Sequence, residues 1–253
     1  MKTGTGTASY YIGWDVGGWN CDNNAKSRDA IVILDESRNI IGTPWRGNLR
    51  ESINRSQTTK EWINALFSLC NAEVPNIYKS IILAIDTPLG FSEEFIALIS
   101  GHMPVDEIGE SSENHYLYRK TEKYLIERGK IPLSPIKDMI GSQATKGMHV
   151  LAKFAPSIES CGVWSGRKGF RAIEAYPSMA RNAPSIRKLL KGKNSLGNDD
   201  KNDAHVCAIV AYLFHTKRDQ LVKPINGISK REGWIWFPKD TLNEKGHVRE
   251  GER

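Results

Sequence analysis

The run KSIILAIDTPLGF, residues 79–91, limits the fold more than any other stretch of the chain. A strand with one face in water alternates apolar and polar residues. This one is apolar from Ile81 to Ile85, so it reads as a central strand covered on both faces. It ends in an acid, Asp86, and a Thr-Pro turn. The segment YYIGWDV (10–16) reads as a first strand, also ending near an acid, Asp15, before paired glycines. AIVILDE (30–36) reads as a second, and IIGTPWRG (40–47) as a short third, closed by Pro44 and Gly47. Residues 58–73 carry apolar side chains at helical spacing, with Thr58 or Thr59 as N-cap and Pro75 beyond the end. GFRAIEAYPS (169–178) returns to strand character, and again an acid, Glu174, precedes a turn. Residues 199–217 form a strong helix, with acids in the first turn and Lys217 in the last. EGWIWFP (232–238) reads as a final extended segment, and the tail after Pro238 as loose.

Residues 92–160 are richer in charge and broken by GHMP, GKIPLSP and IGSQATKG. They read as a helical insertion over one edge of the sheet. The expected class is therefore α/β: a mixed five-stranded sheet flanked by helices, with the insertion after the fourth strand. One domain is expected, with its core over about 10–91 and 161–238 and flexible ends at 1–9 and 239–253.

Composition narrows the setting. Of 253 residues, 40% are hydrophobic and 25% charged, as in ordinary soluble proteins. No stretch approaches the roughly 18 apolar residues of a membrane span. The opening MKTGTGTASYY has no apolar core, so it does not read as a secretory signal. Cys21, Cys70, Cys161 and Cys207 are scattered and form no C-x-x-C pair, which points to a reduced, cytoplasmic setting rather than a zinc cluster or disulfide framework. The net charge of +6 is concentrated between Arg119 and Arg171, where eleven Lys and Arg face four acids. A basic middle on a balanced scaffold suits a phosphate backbone, although solvated helix faces give the same pattern.

Three acids at strand ends, Asp15, Asp86 and Glu174, with Asp200 and Asp203 at the start of a helix, form the chemical signal. In open α/β sheets, sites form at the carboxyl ends of strands. Each acid alone has a plainer reading, as a turn cap, an Asx turn, a core ion pair or a helix cap. Together they suggest a carboxylate cluster. Clustered carboxylates raise one another's pKa, and a hard divalent cation, Mg²⁺ or Mn²⁺, removes the conflict. Two such ions activate water and stabilise the leaving oxygen in phosphodiester cleavage. Arg119, Lys146 and Lys168 are candidates for gripping phosphate, and Tyr116, Tyr118, Tyr124 and Trp164 for either stacking bases or filling core. His205 is assigned no catalytic part.

The pieces IGWDVGG, IDTPLGF, YRKTE, GSQATKG, AIEAYPSMA, DDKNDAHVCAIVAYL and EGWIWFP, in this order, resemble a family of expected nucleases with an RNase H-like fold, known as domain of unknown function 429. The likeness runs from about residue 10 to 238. It implies an RNase H-like core and a two-metal acidic site of Asp15, Asp86, Glu174, Asp200 and Asp203. It places Arg119 and Thr121 in an R-x-T element and Lys146 in a T-[KR]-G element, both on the substrate side. The expected activity is metal-dependent hydrolysis of DNA or RNA, with nucleic acid as partner, no membrane, and a homodimer left open. Two other classes compete: an ATP-dependent phosphotransferase of the actin-like fold, for which DVGG resembles a phosphate loop, and a catalytically silent nucleic-acid-binding module.

Overall fold

The computed structural model describes residues 8–167 and 169–243. Lys168 and the chain ends, 1–7 and 244–253, lie outside the described residues, as do most of the expected flexible ends. The strands are β1 (Ala8–Asp15), β2 (Asp29–Leu34), β3 (Trp45–Gly47), β4 (Tyr78–Asp86), β5 (Ser157–Ser160), β6 (Val163–Ser165), β7 (Phe170–Ala175) and β8 (Ile235–Trp236). The α-helices are α1 (Arg50–Arg55), α2 (Thr59–Leu69), α3 (Glu93–Gly101), α4 (Lys120–Ile126), α5 (Gly141–Phe154), α6 (Pro177–Ala180), α7 (Pro184–Leu190) and α8 (Asp199–Thr216).

The strands form one mixed sheet in the order β3-β2-β1-β4-β7-β6-β5, with β8 on β7. β1, β2 and β3 pair antiparallel, while β1, β4 and β7 run parallel. The sheet is thus mixed α/β as expected, but it has eight strands rather than five. The hairpin of β5 and β6 was expected to be insertion and loop. Its strands are three or four residues long around Gly162 at φ 69°, too short to show an alternating pattern. β6 and β8 share the far edge of β7, β6 along its first part and β8 at Glu174 and Ala175.

The apolar run of β4 is central and covered on both faces. Ile82 and Ala84 pack into the cluster beneath α8, and Ile81, Leu83 and Ile85 into the cluster beneath α2 and α5. The same alternation runs through β2, with Ala30, Val32 and Leu34 on the α8 side and Ile31 and Ile33 opposite. Thr58 caps α2 by accepting from Glu61 N, as the sequence suggests. The insertion does hold helices, α3, α4 and α5. The tail is ordered further than expected. Residues 239–243 form a 3₁₀ turn, and Asp240 accepts hydrogen bonds from the backbone and hydroxyl of Ser185 at the start of α7.

One contact places α8. A Cβ on Gly13 of β1 would lie 1.8 Å from the Ala204 carbonyl oxygen and 2.4 Å from Ala208 N. The absent side chain lets the helix backbone rest on the strand, which brings Asp203, the neighbour of Ala204, to the end of β1. No helix among the described residues is long and apolar enough to cross a membrane.

Candidate metal centre

Asp15 and Asp86 are register partners at the ends of two parallel strands, which stand roughly 4.8 Å apart. Both follow the parity of the residues beneath α8, Tyr11 and Gly13 in β1 and Ile82 and Ala84 in β4, so both face the start of that helix. Their carboxyl groups lie close enough for the charge of each to bear on the other. Burial raises the pKa of Asp15 well above the carboxylate range, and the charges of Asp86, Asp203 and Asp200 add to it. Asp86 is raised by burial and then by Asp203. Asp203 is also raised, by burial, against the pull of Arg181. No Lys or Arg hydrogen-bonds to Asp15 or Asp86 among the described residues.

The other expected acids are each held by an arginine. Glu174 pairs in register with Ile85, not Asp86, and shares the parity of Phe170 and Ala172, which pack beneath α2 and α5. Its side chain therefore leaves the sheet on the opposite face from the Asp15–Asp86 pair. There Arg119 grips it twice, at 2.9 and 2.6 Å, and Leu89 N donates at 2.9 Å. Asp200 accepts from Arg46 Nε at 2.6 Å and from Arg28 N at 3.0 Å. Asp203 accepts from Arg181.

Of the expected phosphate grips, Arg119, Thr121 and Lys146 are withdrawn from solvent, and Lys168 lies outside the described residues. Arg119 is 1% exposed and also binds Glu122 and the Glu232 carbonyl. Burial pushes the Glu122 carboxyl up to about 7 against the pull of Arg119. Thr121 is buried, and its hydroxyl accepts from Ile235 N at the start of β8. Lys146 is fully buried and paired with Asp29, a residue the sequence reading passed over. Asp29 also accepts from Trp14 Nε1 at 3.0 Å, Gly17 N at 2.9 Å and Leu49 N at 2.7 Å. Lys146 in turn donates to Gly17 O and Gly18 O, both at 3.2 Å. The pair clamps the loop that leaves Asp15. Its sequence signal, an acid opening β2 between a cation and an apolar run, is a weak one.

The aromatic candidates are structural. Tyr118 and Trp164 are buried, Tyr124 packs on Trp234 and has Arg128 over its ring, and the Tyr116 hydroxyl accepts from Val105 N. His205 is buried with its Nε2 unpartnered, and burial lowers its pKa to about 4. Arg181, in contrast, stands half-exposed at the rim, and nothing in the sequence pattern marked it.

No family model, curated protein or solved structure matches this chain. Among the described residues no three His, Cys, Asp or Glu side chains already stand as a ready metal cluster. The donor chemistry of Asp15 and Asp86 nevertheless suits a hard cation: oxygen ligands, half-buried, mutually repelling and without a basic hydrogen-bond partner among the described residues. Asp203 is the third donor within electrostatic reach. Glu174 is held by Arg119, Asp200 by Arg46 and Asp203 by Arg181, which leaves Asp15 and Asp86 as the expected acids without an arginine partner among the described residues.

Proposed function

We propose that the chain is a metal-dependent nuclease built on an RNase H-like core, acting at Asp15, Asp86 and Asp203. The observation that carries this reading is the Asp15–Asp86 pair. It is two carboxyl groups placed side by side at the C-terminal end of the central strands, where open α/β sheets put their sites, with no basic partner. An uncompensated, half-buried acid pair costs stability, and a bound cation offsets that cost. The strand order supports the fold reading: three antiparallel strands, then two further strands parallel to the first.

Mg²⁺ or Mn²⁺ held by Asp15, Asp86 and Asp203 would supply a Lewis acid for a phosphodiester oxygen and lower the pKa of a water bound there. The residues of the chain set the stage for that ion. The Asp29–Lys146 clamp fixes the Gly17–Gly18 loop beside Asp15. Gly13 sets the height of α8 and thereby the reach of Asp203. Arg119 holds Glu174 on the opposite face, where the charge of Glu174 still helps to raise Asp86.

The phosphotransferase alternative fares worse. Two amides that a DVGG phosphate loop would present, Gly17 N and Trp19 N, already donate to Asp29 and to Ser142 Oγ. The test is incubation of the pure protein with labelled single- and double-stranded DNA and RNA in Mg²⁺, Mn²⁺ or EDTA, beside Asp15→Asn. Cleavage that needs the metal and is lost in the variant is expected. Equal cleavage by the variant, or no cleavage of any substrate, rejects the assignment.

A further inference from the structure

Arg119 and Lys146 are buried in ion pairs, whereas Arg181 stands half-exposed at the mouth of the acid cluster. It follows the four-residue helix α6, directly downstream of β7 and Tyr176. Among the described residues its guanidinium binds the carboxylate of Asp203. Its side chain is 42% exposed, while that of Asp203 is 19% exposed. Its charge reaches past Asp203 to Asp86. The contrast with the other arginines at this end is clear. Arg46 also donates to the Ala25 carbonyl, and Arg28 to the carbonyls of Asn24 and Asp22, so both are tied to backbone.

Asp203 is the carboxylate that a cation on Asp15 and Asp86 needs as its third donor. Arg181 and the cation therefore compete for the same oxygens. An arginine displaced from a carboxylate at the mouth of a site is a strong partner for a phosphate, since its planar fork fits both anions. We propose that Arg181 is a two-position residue, which neutralises Asp203 until a divalent cation displaces it and then contacts the phosphate of the incoming strand. This rests on the metal-dependent reading above and names its phosphate-binding residue. It follows that cation and strand bind with positive coupling, because each favours the state in which Arg181 has left Asp203.

Two binding measurements on the full chain test it without turnover. Mn²⁺ affinity is measured by calorimetry for wild type, Arg181→Gln and Asp15→Asn. Affinity for a labelled single-stranded oligonucleotide, DNA and RNA in turn, is measured in EDTA and in Ca²⁺. Arg181→Gln is expected to bind Mn²⁺ about fivefold more tightly, the return from losing a competing ion pair worth about 1 kcal/mol. Ca²⁺ is expected to tighten strand binding to wild type and to leave Arg181→Gln unchanged. Wild type that binds Mn²⁺ no better than Asp15→Asn sinks the metal site and this inference with it. Wild type that binds Mn²⁺ while Arg181→Gln gains no affinity, or keeps the full Ca²⁺ effect on the strand, overturns this inference alone.

Discussion

Lys146→Met separates a buried clamp from a surface phosphate grip. The methionine keeps most of the stem volume and removes the charge. It leaves the Asp29 carboxylate fully buried, still accepting from Trp14, Gly17 and Leu49 but with no counter-charge. The carbonyls of Gly17 and Gly18 lose their donor at the same time. Breaking a buried pair on one side costs about 3–5 kcal/mol, whereas an exposed pair is worth about 0–1. At roughly 2–4 °C per kcal/mol for a chain of this size, the melting temperature should fall by roughly 6–20 °C. The loss should depend on pH. Burial already raises the Asp29 pKa against the pull of Lys146. Without Lys146 it rises further, so between the ordinary carboxylate range and that value the folded state binds a proton the unfolded state has released. Stability of the variant therefore falls as pH climbs through this window, and its deficit relative to wild type shrinks as pH drops toward the ordinary range. The assay is thermal and denaturant unfolding of wild type, Lys146→Met, Asp29→Asn and the double variant. A coupling energy of about 1–3 kcal/mol is expected, since the second change removes the stranded charge. Lys146→Met melting within about 2 °C of wild type, with weakened nucleic-acid binding, would refute the clamp and return Lys146 to the surface role.

Three further perturbations follow from the same geometry. Asp15 and Asp86 have raised pKa values in the folded state, so without metal the folded state holds the extra proton and stability should decline as pH rises from the ordinary carboxylate range through the raised values; Asp15→Asn should flatten that decline in unfolding curves taken across pH 4–9, and an unchanged slope would mean that the pair is not the source. Gly13→Ala puts a methyl group against the backbone of α8 and should cost about 3 kcal/mol or more, together with Mn²⁺ affinity as Asp203 is pushed away; a denaturant midpoint equal to that of wild type would show that α8 is not seated on this glycine. Arg119→Met strands Glu122 and Glu174 in the interior and should prevent folding at neutral pH, with Glu174→Gln restoring part of the loss; a soluble variant of normal stability would place Arg119 at the surface after all.

The layers of this fold were legible because they follow from burial. The apolar run of β4 demands cover on both faces, and α8 and the α2–α5 pair supply it. The long helices showed themselves by period and caps, Thr58 before α2 and the acids that open α8. The β5–β6 hairpin did not, because a strand of three or four residues has no period to read. The order at residues 239–243 also escaped, since Asp240 is held by Ser185, 55 residues away, and no local pattern encodes that.

The candidate site was legible in part: strand ends bring Asp15 beside Asp86, while register sends Glu174 to the other face. The triplets AID at 84–86 and AIE at 172–174... look equivalent as sequence, each two apolar residues and an acid at a strand end. Pairing between the strands is offset by one: Ala84 lies beside Ile173 and Ile85 beside Glu174. With a side-chain period of two, that single step sends Asp86 toward α8 and Glu174 to the other face. Buried acids also explain the cations. Glu174, buried away from the acid pair, requires a buried counter-charge, and Arg119 is spent on it. Asp29, buried at the start of β2, takes Lys146 in the same way. Two of the cations expected to meet phosphate are thus consumed by acids whose burial only the register reveals. The acids left without such a partner, Asp15 and Asp86, are the ones on which the proposed chemistry rests, and Arg181, half-exposed on Asp203, is the cation that the proposal sets beside them.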